Sequence, residues 1–339
     1  MTSTPTNEML HLISGYHVSR AVYVAAKLGL ADLLCESSKT CSELAQATQT
    51  DREALHRVVR VLASAGVLSL QPGERVAMTA LTPTLQTGAP GSLRGWAIDQ
   101  LGGEHYTAWG ELLHSVQTGE IAFEHIFGKS AWDHRAENPT SAQEFDDGMA
   151  SFIGAHHQSV LAAYPFGKLK NLYDLGGGDG LFISTVLSAC PHLRGLLFEL
   201  PHVASRARQR LRAAGLSERC TVVEGDIFES VPVGGAAYLL ARVIHDWNDS
   251  QAQQILAVCR RAMDANSVLL LAERIMPELV DAAPATRALA VSDLNMLVMT
   301  GGRERTEMQY RTLLKTAGFT MTSITATDTA LSIIEARPR

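Results

Sequence analysis

Basic residues are in deficit. The chain has 29 Lys and Arg against 35 Asp and Glu, a formal charge of −6, so it offers no basic field to hold nucleic acid or an anionic membrane. Cysteine is scarce as well: five residues, Cys35, Cys41, Cys190, Cys220 and Cys259, lie scattered and none forms a CxxC pair. That excludes a disulfide framework and a zinc cage, and points to a reducing, cytoplasmic compartment. No apolar run is long enough to cross a bilayer; the richest early stretch, AVYVAAKLGLADLL, is broken by Lys27 and Asp32. The amino-terminal MTSTPTNEML has neither the positive region nor the apolar core of a secretory signal. What is present is ordinary for a water-soluble globular chain, with 46% hydrophobic and 19% charged residues. A length of 339 residues suggests two domains.

Apolar positions at Leu12, Ile13, Tyr16, Val22, Val24, Ala25 and Leu28 predict a helix over 8–35. Thr40 with Glu43, and Thr50 with Glu53, have the spacing of two capping boxes, each opening a further helix, the second ending at Gly66. Two short strands, VLSL and RVAMT, flank the turn Gln71-Pro72-Gly73. Helix, helix, hairpin is the order of a winged helix, which raises a DNA-binding regulator as a rival function. Arg52, Arg57 and Arg60 are diluted by Asp51 and Glu53, so a scaffold or dimerisation module fits the electrostatics better. Residues 93–165 read as mostly helical, with Trp96, Tyr106, Trp109, Phe123, Phe127, Trp132, Phe145 and Phe152 as core or pocket aromatics. Near Pro165 the pattern changes. Five strands, NLYDL, GLLFEL, CTVVEG, AAYLLA and VLLLAE, alternate with helical stretches, which predicts an α/β, doubly wound, Rossmann-like sheet. The expected division is a helical, winged-helix-like domain over 1–165 and a cofactor-binding domain over 166–339.

DLGGGDG at 174–180 ends a strand and opens a helix. Glycines there let backbone amides approach a ligand closely. A dinucleotide fingerprint needs a third glycine where Leu181 or Ile183 stands, and no Lys-Ser or Lys-Thr pair follows for a nucleoside-triphosphate loop. What remains is G-x-G-x-G preceded by an acid, the arrangement of S-adenosylmethionine sites, built on Asp174, Gly176 and Gly178. The spacing argues against an oxidoreductase. Glu199, at the end of the next strand, is placed to accept both ribose hydroxyls. Asp226, in EGDIF one strand later, is placed to accept the adenine amino group. Each acid alone would serve equally as a helix cap. Three at successive strand ends favour the cofactor.

DLGGGDG, LLFELPHV, GDIFESVP, LLARVIHDWND and GGRERT, in that order, resemble the class I small-molecule O-methyltransferases, the type of plant caffeic acid O-methyltransferase and its bacterial natural-product relatives. The resemblance spans nearly the whole chain, including GYHVSRAVYVAAKLGLADLL. It implies methyl transfer from S-adenosylmethionine to a hydroxyl of a small aromatic metabolite in secondary metabolism, with S-adenosylhomocysteine as product, no metal, and a homodimer through the amino-terminal helices. A relative that uses the same cofactor for decarboxylation, hydroxylation or ring closure is the alternative. The resemblance makes His245 the general base, with Glu273 and Glu304 flanking it and the following helix capped by Ser250 with Gln253. Ile227 matches a residue packing on adenine, and Trp247 stands near the same ring. Ala241 replaces a lysine of the plant enzymes, which limits position 241 to a backbone contact. Phe145, Met149, Asn295 and Met296 match substrate-pocket positions. Asp293 and Asn295 were the remaining metal-ligand pair to weigh, and a metal is not expected.

Overall fold

Gly29 is where the first helix stops. The computed structural model, which describes residues 4–339 apart from the side chain of Ala155, divides the predicted 8–35 helix into α1 (Pro5–Leu28) and a single turn, α2 (Leu30–Leu33). Gly29 has φ 65°, a left-handed conformation open to glycine, and its amide closes on the carbonyls of Ala25 and Ala26. Then follow β1 (Lys39–Thr40), α3 (Cys41–Thr48), α4 (Arg52–Ser64), β2 (Leu68–Gln71) and β3 (Arg75–Met78), the strands pairing antiparallel in the order β1-β3-β2. The Thr40–Glu43 capping box forms. The second box does not: Asp51 caps α4, accepting from the Ala54 amide at 2.8 Å, while the Thr50 hydroxyl meets that of Thr48 at 2.9 Å. An ionised carboxylate gains from the helix dipole as well as from the hydrogen bond, which a threonine hydroxyl does not. Arg52 is bound to Glu74, so the rival nucleic-acid face loses one of its three cations.

These elements and α5 (Arg94–Leu101) enclose a core of Ala26, Leu30, Leu44, Val59, Leu62, Val76 and Ile98. The first half of α1 stays outside it. Leu12, Ile13 and Tyr16 are 67%, 61% and 53% exposed.

The helical middle continues through α6 (Gly103–Gly110), α7 (Leu112–Thr118), α8 (Ala122–Phe127), α9 (Ala131–Glu137) and the long α10 (Pro139–Ala163). The chain forms two compact units, and the break is not at 165. One unit runs to Thr107 and includes Pro139–Phe152; the other comprises Ala108–Asn138 and Ile153–Arg339. The reason is packing. Ala108, Ala122, Phe123 and Ala131 share a core with Val298 and Met299, and Val160 and Phe166 join the core beneath the sheet.

That sheet contains β4 (Asn171–Leu175), β5 (Arg194–Glu199), β6 (Cys220–Glu224), β7 (Ala237–Ala241), β8 (Val268–Met276), the two-residue β9 (Arg305–Thr306), β10 (Phe319–Ala326) and β11 (Leu331–Pro338). Its order is β10-β11-β8-β7-β4-β5-β6, with β9 beside β8. Strands β4 to β8 are parallel, and β10 and β11 add an antiparallel edge. Between them run α11 (Leu181–Ala189), α12 (Pro201–Ala213), α13 (Asp249–Ala262), α14 (Pro284–Met299) and α15 (Glu307–Thr316). Strands covered on both faces read as unbroken apolar runs. LLLA of β8 is buried throughout. The order turns back at β4, so the crevice for a ligand opens at the carboxyl ends of β4 and β7. Asn248 with Gln251, not Ser250 with Gln253, forms the capping box of α13.

Candidate active site

The glycine loop divides its work between its two sides. Gly176, Gly178 and Gly180 all have positive φ. A Cβ on Gly176 would stand 3.1 Å from Val243, and one on Gly180 3.2 Å from Leu197, whereas one on Gly178 would meet nothing within 4 Å. Gly176 and Gly180 therefore press the loop onto the protein, and Gly178 faces open space. Beneath the loop lies Asp174. It is wholly buried, a Cβ on Gly177 would touch its carboxylate at 2.6 Å, and neither of its oxygens completes a hydrogen bond. Burial, with the Glu199 charge nearby, pushes its carboxyl up to about 7, opposed by the Ile183 amide. Asp174 thus supports the loop from below and has no exposed surface, so two accessible acids remain of the three expected at the strand ends.

Those two are half-buried. Glu199 ends β5 and accepts from the Gly178 amide at 3.3 Å and from its neighbour Leu200. Asp226 accepts from the Phe228 amide at 2.8 Å in a tight turn after β6. Ile227 packs on the core of the sheet. The Phe228 ring meets Trp247 edge to face, centroids 4.7 Å apart. Ala241 ends β7, held opposite Ala272 of β8. Carboxylates for ribose and adenine, an apolar edge for the base and an open glycine fit the nucleoside of S-adenosylmethionine.

His245 follows β7 and is 3% exposed. Its Nδ1 lies 3.2 Å from Glu304 Oε1, which also accepts from the Ser292 hydroxyl at 2.6 Å and stands 3.8 Å from Arg274. Nε2 points to the other side, 3.6 Å from Asp246, beyond hydrogen-bond length. Glu273 stands within 4.8 Å of the ring without a hydrogen bond to it. Its Oε1 accepts from the amides of Val243 and Ile244, at 3.1 and 2.8 Å, and so holds the loop on which His245 rides. The ligand atoms of His245, Glu273 and Glu304 lie within 4.8 Å of one another; Oε1 of each glutamate accepts from protein groups, and Oε2 of each is buried without a hydrogen-bond partner. Asp293 accepts from the Glu304 amide at 2.9 Å and Asn295 from the Trp109 indole at 2.8 Å, so the pair weighed as metal ligands is turned to protein partners.

The charges reinforce one another. Burial and the Arg242 cation pull the His245 pKa down, and the carboxylates of Asp246, Glu304 and Glu273 together more than reverse this, leaving it raised. Glu304 is the other half: burial works against its ionisation, yet the His245 charge and hydrogen bond hold it below the usual carboxylate range. Burial pushes Glu273 up to about 6. An imidazole fixed at Nδ1 by a carboxylate presents Nε2 as a base and is stabilised once protonated.

Sequence reasoning overlooked the clamp on this loop. The Arg303 amide donates to the His245 carbonyl at 2.9 Å. Arg305, with no exposed surface, donates to the carbonyls of Ile244 and Trp247 at 3.0 and 2.8 Å and to Asp249 at 3.0 Å. A Cβ on Gly302 would fall inside the His245 carbonyl oxygen and the Asp246–Trp247 peptide. The motif GGRERT is thereby explained: glycine for close approach, Glu304 for the imidazole, Arg305 for the backbone. Of the substrate positions, Met296 is buried, and Phe145 and Met149 lie half-buried on the first half of α10 in the other unit. Gly302→Ala should displace the His245 loop and cut methyl transfer by about ten-fold or more. A purified Gly302→Ala variant with wild-type rate and melting temperature would show that the clamp is not needed.

Residues 109–320 match the model of the O-methyltransferase domain, and residues 10–87 that of the O-methyltransferase dimerisation domain. The chain is 41% identical to the phenazine O-methyltransferase PhzM of Lysobacter antibioticus, over 97% of this chain and 95% of that one. It is 35% identical to aclacinomycin 10-hydroxylase RdmB of Streptomyces purpurascens, over 89% and 81%. The crystal structure of LaPhzM superposes with a TM-score of 0.95 at 39% identity, covering 99% of this chain and 100% of that one. NcsB1, an O-methyltransferase from neocarzinostatin biosynthesis crystallised with S-adenosylmethionine and 2-hydroxy-5-methyl naphthoic acid, superposes with a TM-score of 0.83 at 29% identity, covering 95% and 96%. The chain belongs to the S-adenosylmethionine-dependent O-methyltransferase family, dimerisation domain included.

Proposed function

We propose that this methyltransferase modifies a ring hydroxyl of a small aromatic natural product, with His245 as the general base. The observation that carries this reading is the buried His245–Glu304 contact at 3.2 Å, a base with its far nitrogen already held. The names of the relatives, which act on phenazine and naphthoate rings, support the acceptor class and a place in antibiotic biosynthesis. S-adenosylmethionine, when bound, supplies an electrophilic methyl on a cationic sulfur and leaves as S-adenosylhomocysteine. Glu199 binds the ribose hydroxyls. Asp226 takes the adenine amino group, with Ile227 and Trp247 beside the ring and backbone groups of Gly176, Gly178 and Ala241 along the remainder. Phe145, Met149, Asn295 and Met296 are assigned to the acceptor; the thioethers adapt to a flat ring.

A phenol near pKa 10 and an imidazole near 6.5 differ by about 3.5 units, or roughly 5 kcal/mol against complete proton transfer. The raised pKa of His245 narrows that gap. Proton removal accompanies attack on the methyl, and the residues around His245 act chiefly by holding the oxygen in line. RdmB, a hydroxylase by name, favours a second reading in which the same fold performs other chemistry. Ionised Glu304 beside His245 supports methyl transfer over it.

His245→Ala should lower turnover on a weakly acidic phenol about 100-fold or more and leave the affinity for S-adenosylhomocysteine nearly unchanged by calorimetry. Glu199→Ala should do the reverse. Unchanged turnover in the histidine variant would remove His245 from the reaction. The neutral imidazole is the active form, so kcat/KM should climb with pH, its midpoint lying above the ordinary histidine value of about 6.5. Glu304→Gln removes a carboxylate that raises His245, so the midpoint should move to lower pH; an unmoved profile would deny the coupling.

The exposed Leu12, Ile13 and Tyr16 of α1 lie within the segment matching the dimerisation domain, and we assign them to a homodimer interface. Leu12→Glu combined with Ile13→Glu should sediment as a monomer; a persisting dimer would place the interface elsewhere. No helix among the described residues is long and apolar enough to cross a membrane, and the described cysteines are free thiols.

A further inference from the structure

Arg242 is a cation in the active centre without a protein partner. It follows the last residue of β7 and is half-buried. Among the described residues its side chain makes no hydrogen bond and no ion pair. None of the neighbouring carboxylates bonds it: Glu304 meets His245 and Ser292, Glu273 accepts from two amides, and Asp246 stands 3.6 Å from His245. The other active-centre cations are likewise engaged, Arg274 with Ser292 and Glu304, and Arg305 with two carbonyls and Asp249.

The backbone at this point is also unusual. Arg242 has φ 54°, one of three non-glycine residues with positive φ among those described. The other two have local explanations. Gln49 terminates α3, and Glu74 sits in the β2–β3 turn paired with Arg52. At Arg242 the conformation is imposed by its surroundings: its amide donates to the Ala272 carbonyl at 3.0 Å, and the next two amides are tied to Glu273. Strain held this firmly beside a catalytic base, with an unpaired charge on the same residue, points to a ligand that completes it.

We propose that Arg242 receives a carboxylate carried by the acceptor, so that acidic hydroxy-aromatics are preferred. An anionic acceptor entering beside Asp246, Glu273 and Glu304 meets three carboxylates, and Arg242 is the countercharge not already committed. The planar guanidinium fork matches a carboxylate in two parallel hydrogen bonds. Its charge is felt at His245, Asp246, Glu273 and Glu304, and at His157 on the second half of α10. The inference rests on the O-methylation reading for the identity of the site. The one other carboxylate of the reaction is that on the methionyl end of the donor, and the test separates the two.

The test is calorimetry on the full-length enzyme loaded with S-adenosylhomocysteine, titrated with 2-hydroxy-5-methyl naphthoic acid and with the methylnaphthol that lacks only its carboxyl group. The wild type should bind the acid more tightly. Arg242→Met should weaken the acid about 10- to 100-fold, leave the naphthol and S-adenosylhomocysteine within about two-fold, and recover in part as Arg242→Lys. Arg242→Asn, a residue that tolerates positive φ, replaces the methionine variant if that one does not fold. Equal weakening of both ring compounds, or no preference for the acid in the wild type, would overturn the proposal. Weaker S-adenosylhomocysteine with the acid preference intact would overturn it too, moving the guanidinium to the donor's carboxylate. None of these titrations needs turnover, so absence of methyl transfer would count against the O-methylation reading and leave the assignment of Arg242 to be judged on binding alone.

Discussion

A guanidinium with no exposed surface organises the loop that carries His245. Arg305 spreads across the carbonyls of Ile244 and Trp247 and the carboxylate of Asp249. Taking an arginine out of water costs several kcal/mol unless nearly every donor finds an acceptor. Backbone carbonyls of a loop between a strand and a helix need donors just as strictly. The two demands meet in one side chain. Everything chemical about His245 follows from that agreement, because the loop is held from below by Glu273 and from the side by Gly302, Arg303 and Arg305. The imidazole inherits its position from backbone that has no freedom left.

The two glutamates of the site illustrate how one residue type takes two roles. Glu304 faces an imidazole and a serine and is kept ionised. Glu273 faces amides in the same low-dielectric interior, and its carboxyl rises to about 6. Environment sets these apart, as it does for paired acids in many active sites. Asp174 makes the same point more strongly. It reads as a ligand-binding acid in the sequence and serves as a buried post under a glycine turn.

Much of this was legible without coordinates, and the particulars show why. The parallel strands appear within one residue of their predicted ends, except that β8 runs three residues further, to Met276, since a strand covered on both faces must be a continuous apolar run. The glycine loop and Glu199 were fixed by spacing along the chain. Helix caps slipped by one or two positions, at Asp51 and Asn248, where several good capping residues stand side by side and only tertiary geometry chooses. The domain boundary was misplaced because Ala108 to Ala131 pack against α14, nearly two hundred residues later, and helical periodicity carries no record of its partner. Arg305 escaped notice for the same reason: its acceptors Ile244 and Trp247 lie 61 and 58 residues earlier in the chain.

The separation between His245 and its carboxylates has a bearing on how the enzyme is made. Glu273 is supplied by the strand after the histidine, and Glu304 lies 59 residues beyond it. Parallel pairing is slow because distant segments must meet before any contact rewards them. A nascent or partly folded chain that has completed β7 alone carries a histidine with neither carboxylate in place. The imidazole gains its Glu304 partner only once the segment after α14 is in place beside the loop.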